Sequence, residues 1–224
     1  MKNLTKKKKK QIELGILIFI SINSILLWNS YVVYPIKMFV VLIHEICHGL
    51  AAFFTGGKII SVFIETNLGG GCTLEGGIPF VIASSGYLGS LFIGALLFLS
   101  GDSDKLSMWV CTGLAALLLI FAANFIEGTA GIVTALVFAI LVFSSPRFFN
   151  QTVHLYLMKI LGLVSCLYVI VDMKEDLLTL QYRLTDAQML ADITGGPAVV
   201  WGLIWLAISI TVVYFLFKHS YKWE

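Results

Sequence analysis

Charge is scarce in this chain. Of 224 residues only 12% are Asp, Glu, Lys or Arg, against 58% apolar. A soluble globular domain carries about 25% charged and about 45–50% apolar residues. The shortfall excludes a soluble domain with an ordinary surface. The length leaves room for one compact helical domain, residues 1–224, and for no substantial soluble module beside it. Cysteine is scarce too. Cys47, Cys72, Cys111 and Cys166 stand far apart, without metal-type spacing, and three fall in or beside apolar helical runs as small hydrophobes. No internal repeat and no low-complexity segment occurs apart from "KKKKK" at 6–10. No A-x-A-like site follows the first apolar run, Ile12 to Trp28, and that run is long for a signal-peptide core, so cleavage is not expected.

What is abundant is apolar sequence in lengths of about 20 residues, enough to cross a bilayer. Seven candidate spans read as 12–32, 35–55, 78–100, 107–125, 128–144, 153–173 and 197–217. Pro35 separates the first two into a tight helical hairpin. The split at "FIEG" between the fourth and fifth is the least marked, so the expectation is an all-α polytopic membrane protein of six to seven spans. The lysines in the 1–11 tail read as a cytoplasmic anchor under the positive-inside rule rather than a nucleic-acid patch. Strict alternation over seven spans then puts "KHSYKWE" outside, against the same rule. Two segments do not span. Residues 56–77 carry "KIISVFIE" followed by turn signals from Asn67 to Gly71, a β-hairpin at the membrane surface or dipping into protein-lined space. Residues 174–196 show helical spacing of Leu177, Leu180 and Leu184 with a cap at Thr185, an amphipathic segment along the cytoplasmic surface.

Against this background "HEICH", residues 44–48, stands out. Each ionisable group in a span costs about 2.5–3.5 kcal/mol on insertion scales. Three within five residues need compensation. His44 and His48, four apart on a helix, present both imidazoles on one face, as two ligands of a tetrahedral zinc require. Glu45 points to the side, unable to join the same ion easily but able to reach a water bound to it. That is the arrangement of a metal-assisted hydrolase with Glu45 as base. The plainer reading, polar groups satisfied between packed helices, does not explain three together.

A catalytic zinc takes three protein ligands and keeps one position open. The third is sought among few candidates: Asp172 at the end of an apolar helix, Asp186 and Asp192 in the amphipathic segment, Glu127 in a tight turn near Asn124, and His154 at the far membrane face. Matching of depth favours Asp172, with Asp186 second and equally readable as a charge at a helix N-terminus.

At these residues the chain resembles the site-2 protease family of intramembrane zinc metalloproteases, and most of all its compact bacterial branch. The likeness runs from "HEICHGLAAFFTGGK" through "GGGCT" at 69–73 and "SSGYLGSLFIGALLF" at 84–98 to "LTDAQMLADITGGPAVVWGLIW" at 184–205. The resemblance implies zinc held by His44, His48 and an aspartate on a later helix, Glu45 as base, and a bacterial plasma membrane as location. The family's aspartate usually stands in a Leu-Asp-Gly setting, which "VDMKED" lacks, so Asp172 is carried over by position and not by motif. "GYLGS" also lacks the family's Pro and Asn, and there is no PDZ-like insert.

The expected substrate is a transmembrane segment of another membrane protein, unwound and paired as a strand with the 59–74 hairpin. Gly69, Gly70 and Gly71 would permit close approach there, although a plain flexible turn explains them equally well. Gly86, Tyr87 and Gly89 read as helix-packing positions. Two other classes compete. A metal-binding sensor or substrate-binding protein without hydrolysis has no need of Glu45. A proton or ion path predicts polar residues at several depths, whereas stretches such as 88–99 are nearly all apolar.

Overall fold

The computed structural model describes residues 6–178 and 185–221. In chain order these form α1 (Lys6–Leu26), α2 (Tyr34–Phe54), β1 (Lys58–Ile64), β2 (Gly70–Glu75), α3 (Pro79–Ser100), α4 (Asp104–Asn124), β3 (Ile126–Glu127), α5 (Thr129–Phe148), α6 (Gln151–Leu178), α7 (Asp186–Thr194) and α8 (Ala198–Tyr221). Among the described residues six helices, α2 to α6 and α8, are long and apolar enough to cross a membrane. The chain is thus a polytopic helical membrane protein. The first expected span is a helix but not among the six. It begins inside the lysine run and ends at Leu26, so charge occupies its first two turns and shortens its apolar length.

Local chemistry sets the boundaries. Pro35 and Pro79 stand in the first turns of α2 and α3, where a missing N–H breaks no helical bond. The Ser103 hydroxyl accepts from Leu106 N to cap α4, and Thr185 caps α7 by accepting from Gln188 N, as the sequence suggested. Gly56, at φ +87°, turns the chain from α2 into β1.

α2 is the most enclosed span, surrounded by α3, α5, α6 and the hairpin. β1 and β2 pair antiparallel with Ile64 opposite Gly70. The hairpin runs back along α2: Lys58 follows its C-terminus, and Tyr34 at its start donates through its hydroxyl to the Thr66 carbonyl. The expected hairpin is present, and it packs along α2. One strand was not foreseen. Ile126–Glu127, the "FIEG" turn between α4 and α5, pairs parallel with Val62–Phe63, giving the order β2-β1-β3. This separates the fourth and fifth spans cleanly.

Two expectations change. α1 does not form a hairpin with α2; it packs on α6 and α8. Lys159 of α6, fully buried, pairs with Glu13 of α1 and with Asp102 (2.8 Å), and Asp102 also meets His219 of α8 (3.3 Å). The head of α1 and the tail of α8 therefore share one end of the bundle, so the tail of α8 is not opposite the lysine-rich start of α1. Of the 174–196 segment, the first residues continue α6 to Leu178 and Asp186–Thr194 form α7. Leu180 and Leu184 are outside the described residues.

Candidate metal centre

One turn of α2 separates His44 from His48 and brings their Nε2 atoms within 3.0 Å. Asp186, the first residue of α7, completes the group. Its Oδ2 lies 3.0 Å from His44 Nε2 and 3.3 Å from His48 Nε2. These are the metal-ligating side chains that converge among the described residues. The expected Asp172 is not the carboxylate that joins the histidines. Its Oδ2 accepts from the Tyr87 hydroxyl at 2.8 Å. The reason is positional: Thr185 caps α7 at a point that drops Asp186 onto the His pair, while Asp172 on α6 accepts from the Tyr87 hydroxyl.

The three atoms make a nearly equilateral triangle. A tetrahedral zinc with bonds of about 2.0–2.1 Å spaces its ligand atoms about 3.3 Å apart, so the triangle has the size of one face of such a site. The hydrogen bonding agrees. His48 Nδ1 donates to the Ile82 carbonyl at 2.7 Å, which leaves its Nε2 with a lone pair. Asp186 Oδ2 is buried and, apart from the two imidazole nitrogens, has no partner among the described residues. Converging lone pairs of this kind need a cation or a shared proton between them. The donor set, two imidazoles and a carboxylate, is one that suits zinc.

α3 forms the wall behind the triangle. A Cβ at Gly86 would stand 2.5 Å from His48 Nε2 and closer still to His44. Glycine there is a condition of the site as well as of helix packing. Gly89 keeps the packing role, since a Cβ would meet Cys47 Sγ at 2.5 Å.

A cavity of about 470 Å³ opens over the triangle. Glu45, buried beside the histidines, lines it together with Gly69, Gly70, Gly71, Tyr87, Tyr168, Asp172 and Met189. The three glycines differ. A Cβ at Gly70 would stand 2.8 Å from Glu45 Oε1, whereas one at Gly71 would strike the Phe63 ring and one at Gly69 would meet Asn67 Oδ1. Gly70 thus brings β2 against the Glu45 carboxylate. Cys72, the next but one on β2, has its thiol pKa pushed up to about 12 by burial and then by the Glu45 charge.

A family model described as Peptidase M50B-like matches residues 17–216, a span that takes in the hairpin and all three corners of the triangle. The chain belongs to the Peptidase M50B-like family. This is the site-2 protease family, and peptidases of the M50 family are zinc metalloproteases. No curated protein and no solved structure matches the chain.

The other residues weighed as ligands in this M50B-like chain lie elsewhere. His154 is buried between Ser107 and Ser145 hydroxyls, joining α6 to α4 and α5. Glu127 is exposed on β3, and Asn124 hydrogen-bonds within α4 to the Ile120 carbonyl. Asp192, exposed on α7, accepts from Gln188 one turn back. A second layer of this candidate site was not foreseen. Tyr87 packs edge-on against His44 with ring centroids 4.6 Å apart, and Tyr168 and Met189 border the cavity. Only the adjacency of Tyr87 to Gly86 hinted at this, and it was equally consistent with plain helix packing.

Proposed function

We propose that the protein is an intramembrane zinc metalloprotease that hydrolyses peptide bonds within or beside transmembrane segments of other membrane proteins. The observation that carries the reading is the triangle of His44, His48 and Asp186 with Glu45 beside it at the floor of one cavity. His44 Nε2, His48 Nε2 and Asp186 Oδ2 would hold the ion. When bound, zinc supplies Lewis-acid polarisation of the scissile carbonyl and a water of lowered pKa. Glu45 takes the proton from the attacking water and returns it to the leaving amine. The apolar walls, Val41, Ile82 and Ala83 among them, exclude bulk water and so strengthen every charge interaction inside.

The sheet supports a reading of how substrate binds. β1 is paired on both sides, by β2 and β3, so β2 carries the free edge next to the cavity. An unwound substrate would add a strand there, its amide backbone drawn in at Gly69 to Gly71 and placed beside Glu45 at Gly70. The residue that admits this approach is one without a side chain. The lysines that lead α1 orient that end of the bundle to the cytoplasm, in keeping with a bacterial plasma membrane.

The test is metal analysis and a cleavage assay on membrane substrates, with the protein purified in detergent. Wild type should hold about one zinc. Glu45→Gln should keep the metal and lose cleavage. A wild type free of zinc after preparation without chelators ends the protease reading. Zinc bound without cleavage of any membrane substrate points to a binding protein instead.

A further inference from the structure

The three corners of the metal triangle are not held alike. His48 is fixed through Nδ1 to the Ile82 carbonyl. Asp186 is fixed by its place in the first turn of α7, behind the Thr185 cap. His44 has no hydrogen bond at Nδ1 among the described residues, and a ligating histidine without such a bond is free to rotate about its side-chain torsions. What restrains it is an aromatic ring. Tyr87 meets His44 edge-on at an interplanar angle of 80°. The Tyr87 ring is packed from its other surroundings by Trp205, at 5.1 Å, and is almost fully buried. Its hydroxyl ends on Asp172 Oδ2. A chain of contacts therefore runs from α6 through a side chain of α3 to a candidate ligand on α2, and on to α8 through Trp205.

We propose that Tyr87 is the positioning residue for His44, and that Asp172 serves the site by anchoring the Tyr87 hydroxyl rather than by ligation. This rests on the metal-site reading above. It assigns work to a carboxylate that lines the cavity but does not join the triangle. A ring contact restrains the imidazole plane but directs no particular tautomer, so it needs its own anchor to have a defined position. The Asp172 carboxylate supplies that anchor through a charge-assisted hydrogen bond, stronger than a neutral one. Gly86, next to Tyr87 and in contact distance of both imidazoles, leaves the ring room to reach His44 without a side chain intervening. The position that follows the glycine is thus a working part of the site, not only of the helix interface.

The experiment compares wild type with Tyr87→Phe, Tyr87→Leu and Asp172→Asn, each as full-length protein in detergent. It reads zinc affinity by chelator competition, the visible spectrum of the cobalt-substituted protein, and thermal stability. Loss of the ring in Tyr87→Leu should weaken zinc binding by about tenfold to a hundredfold, the usual effect of removing a group that orients a ligand. Tyr87→Phe keeps the ring and loses the anchor. It should bind more tightly than the Leu variant yet show an altered cobalt spectrum, and Asp172→Asn should resemble it. A purely structural tyrosine predicts lower thermal stability with zinc affinity and cobalt spectrum unchanged, and that result overturns the proposal. If the Leu variant does not fold, wild-type affinity and spectrum in both the Phe and Asn variants overturn it equally. Loss of zinc from Asp172→Asn as complete as from Asp186→Asn would make Asp172 a ligand and overturn it too. Absence of zinc from the wild type defeats the metal reading and this one with it. Zinc in the wild type with indifferent variants defeats this one alone.

Discussion

His48 donates through Nδ1 to the backbone carbonyl of Ile82 across 2.7 Å, tying the second histidine of α2 to the first turn of α3. One turn further along α3, Gly86 lies against both imidazoles. The two helices are so close at this point that a backbone, not a side chain, forms the wall of the site.

Gly86→Ala should therefore strip the metal. The added methyl would overlap His48 Nε2 and His44, and overpacking of a rigid contact costs about 1–3 kcal/mol. Zinc content should fall well below that of wild type while the helical circular dichroism spectrum is retained. Full zinc content in the alanine variant would show that α2 and α3 separate here at little cost.

Asp186→Asn should lose zinc and cleavage together, because an amide oxygen is a weaker donor to zinc than a carboxylate. Asp172→Asn should retain zinc in part. Metal content by elemental analysis separates the two. The reverse order would restore Asp172 as the third ligand.

Glu45→Gln should lower cleavage by about a hundredfold to ten-thousandfold, the range for removal of a general base, with zinc stoichiometry unchanged. Near-normal turnover in this variant would require another base in the cavity.

Gly70→Ala is expected to reduce cleavage with little change in zinc content. Its methyl would crowd Glu45 Oε1 and Val41, but it lies on the Glu45 side of the cavity and not among the three ligand atoms. Parallel loss of zinc and cleavage would give the β2 strand a structural role in place of a substrate-binding one.

Cys72 offers a test by pH. Its thiol pKa is pushed up to about 12, so the thiolate is a minor species near neutrality and grows with pH without levelling off in the range of an ordinary thiol, about 8–9. Alkylation by iodoacetamide, followed by mass spectrometry of the Cys72 peptide, should keep accelerating from pH 7 to 10. Since the Glu45 charge contributes to the shift, Glu45→Gln should speed the reaction at any fixed pH. A plateau near pH 9, or no effect of Glu45→Gln, would contradict the close approach of β2 to α2.

Several elements were readable before any coordinates. Helices of about 20 apolar residues between short polar breaks have no alternative in a bilayer, so six of the expected spans fell within a few residues of the membrane-length helices. The hairpin was readable because β-branched residues and an Asn-Gly-rich turn lie in a segment too polar to span. The partnership of His44 with His48 was readable because it is local, one helical turn. Asp186 was not, because its selection depends on where α7 begins in space. The carboxylates at 172 and 186 both sit near the end of a helix facing the same region, and sequence alone ranks them by a guess at depth. β3 was hidden for a similar reason: two residues of a tight turn carry no strand signal and are ordered by the β1 edge they meet.

The amino-acid order alone establishes a membrane-embedded chain with an imidazole pair and an adjacent carboxylate on one helix, because span length and helical spacing are properties of neighbouring residues. The fold adds everything that depends on distant parts of the chain meeting. It selects Asp186 over Asp172 as the third corner, sets Gly86 and Tyr87 as the wall and support of the histidines, and leaves β2 as the open edge beside Glu45. It also brings the start of α1 and the end of α8 together through Glu13, Asp102, Lys159 and His219. Those outcomes are fixed by the packing of α3, α6 and α7 around α2, where only backbone and small residues leave room for the site.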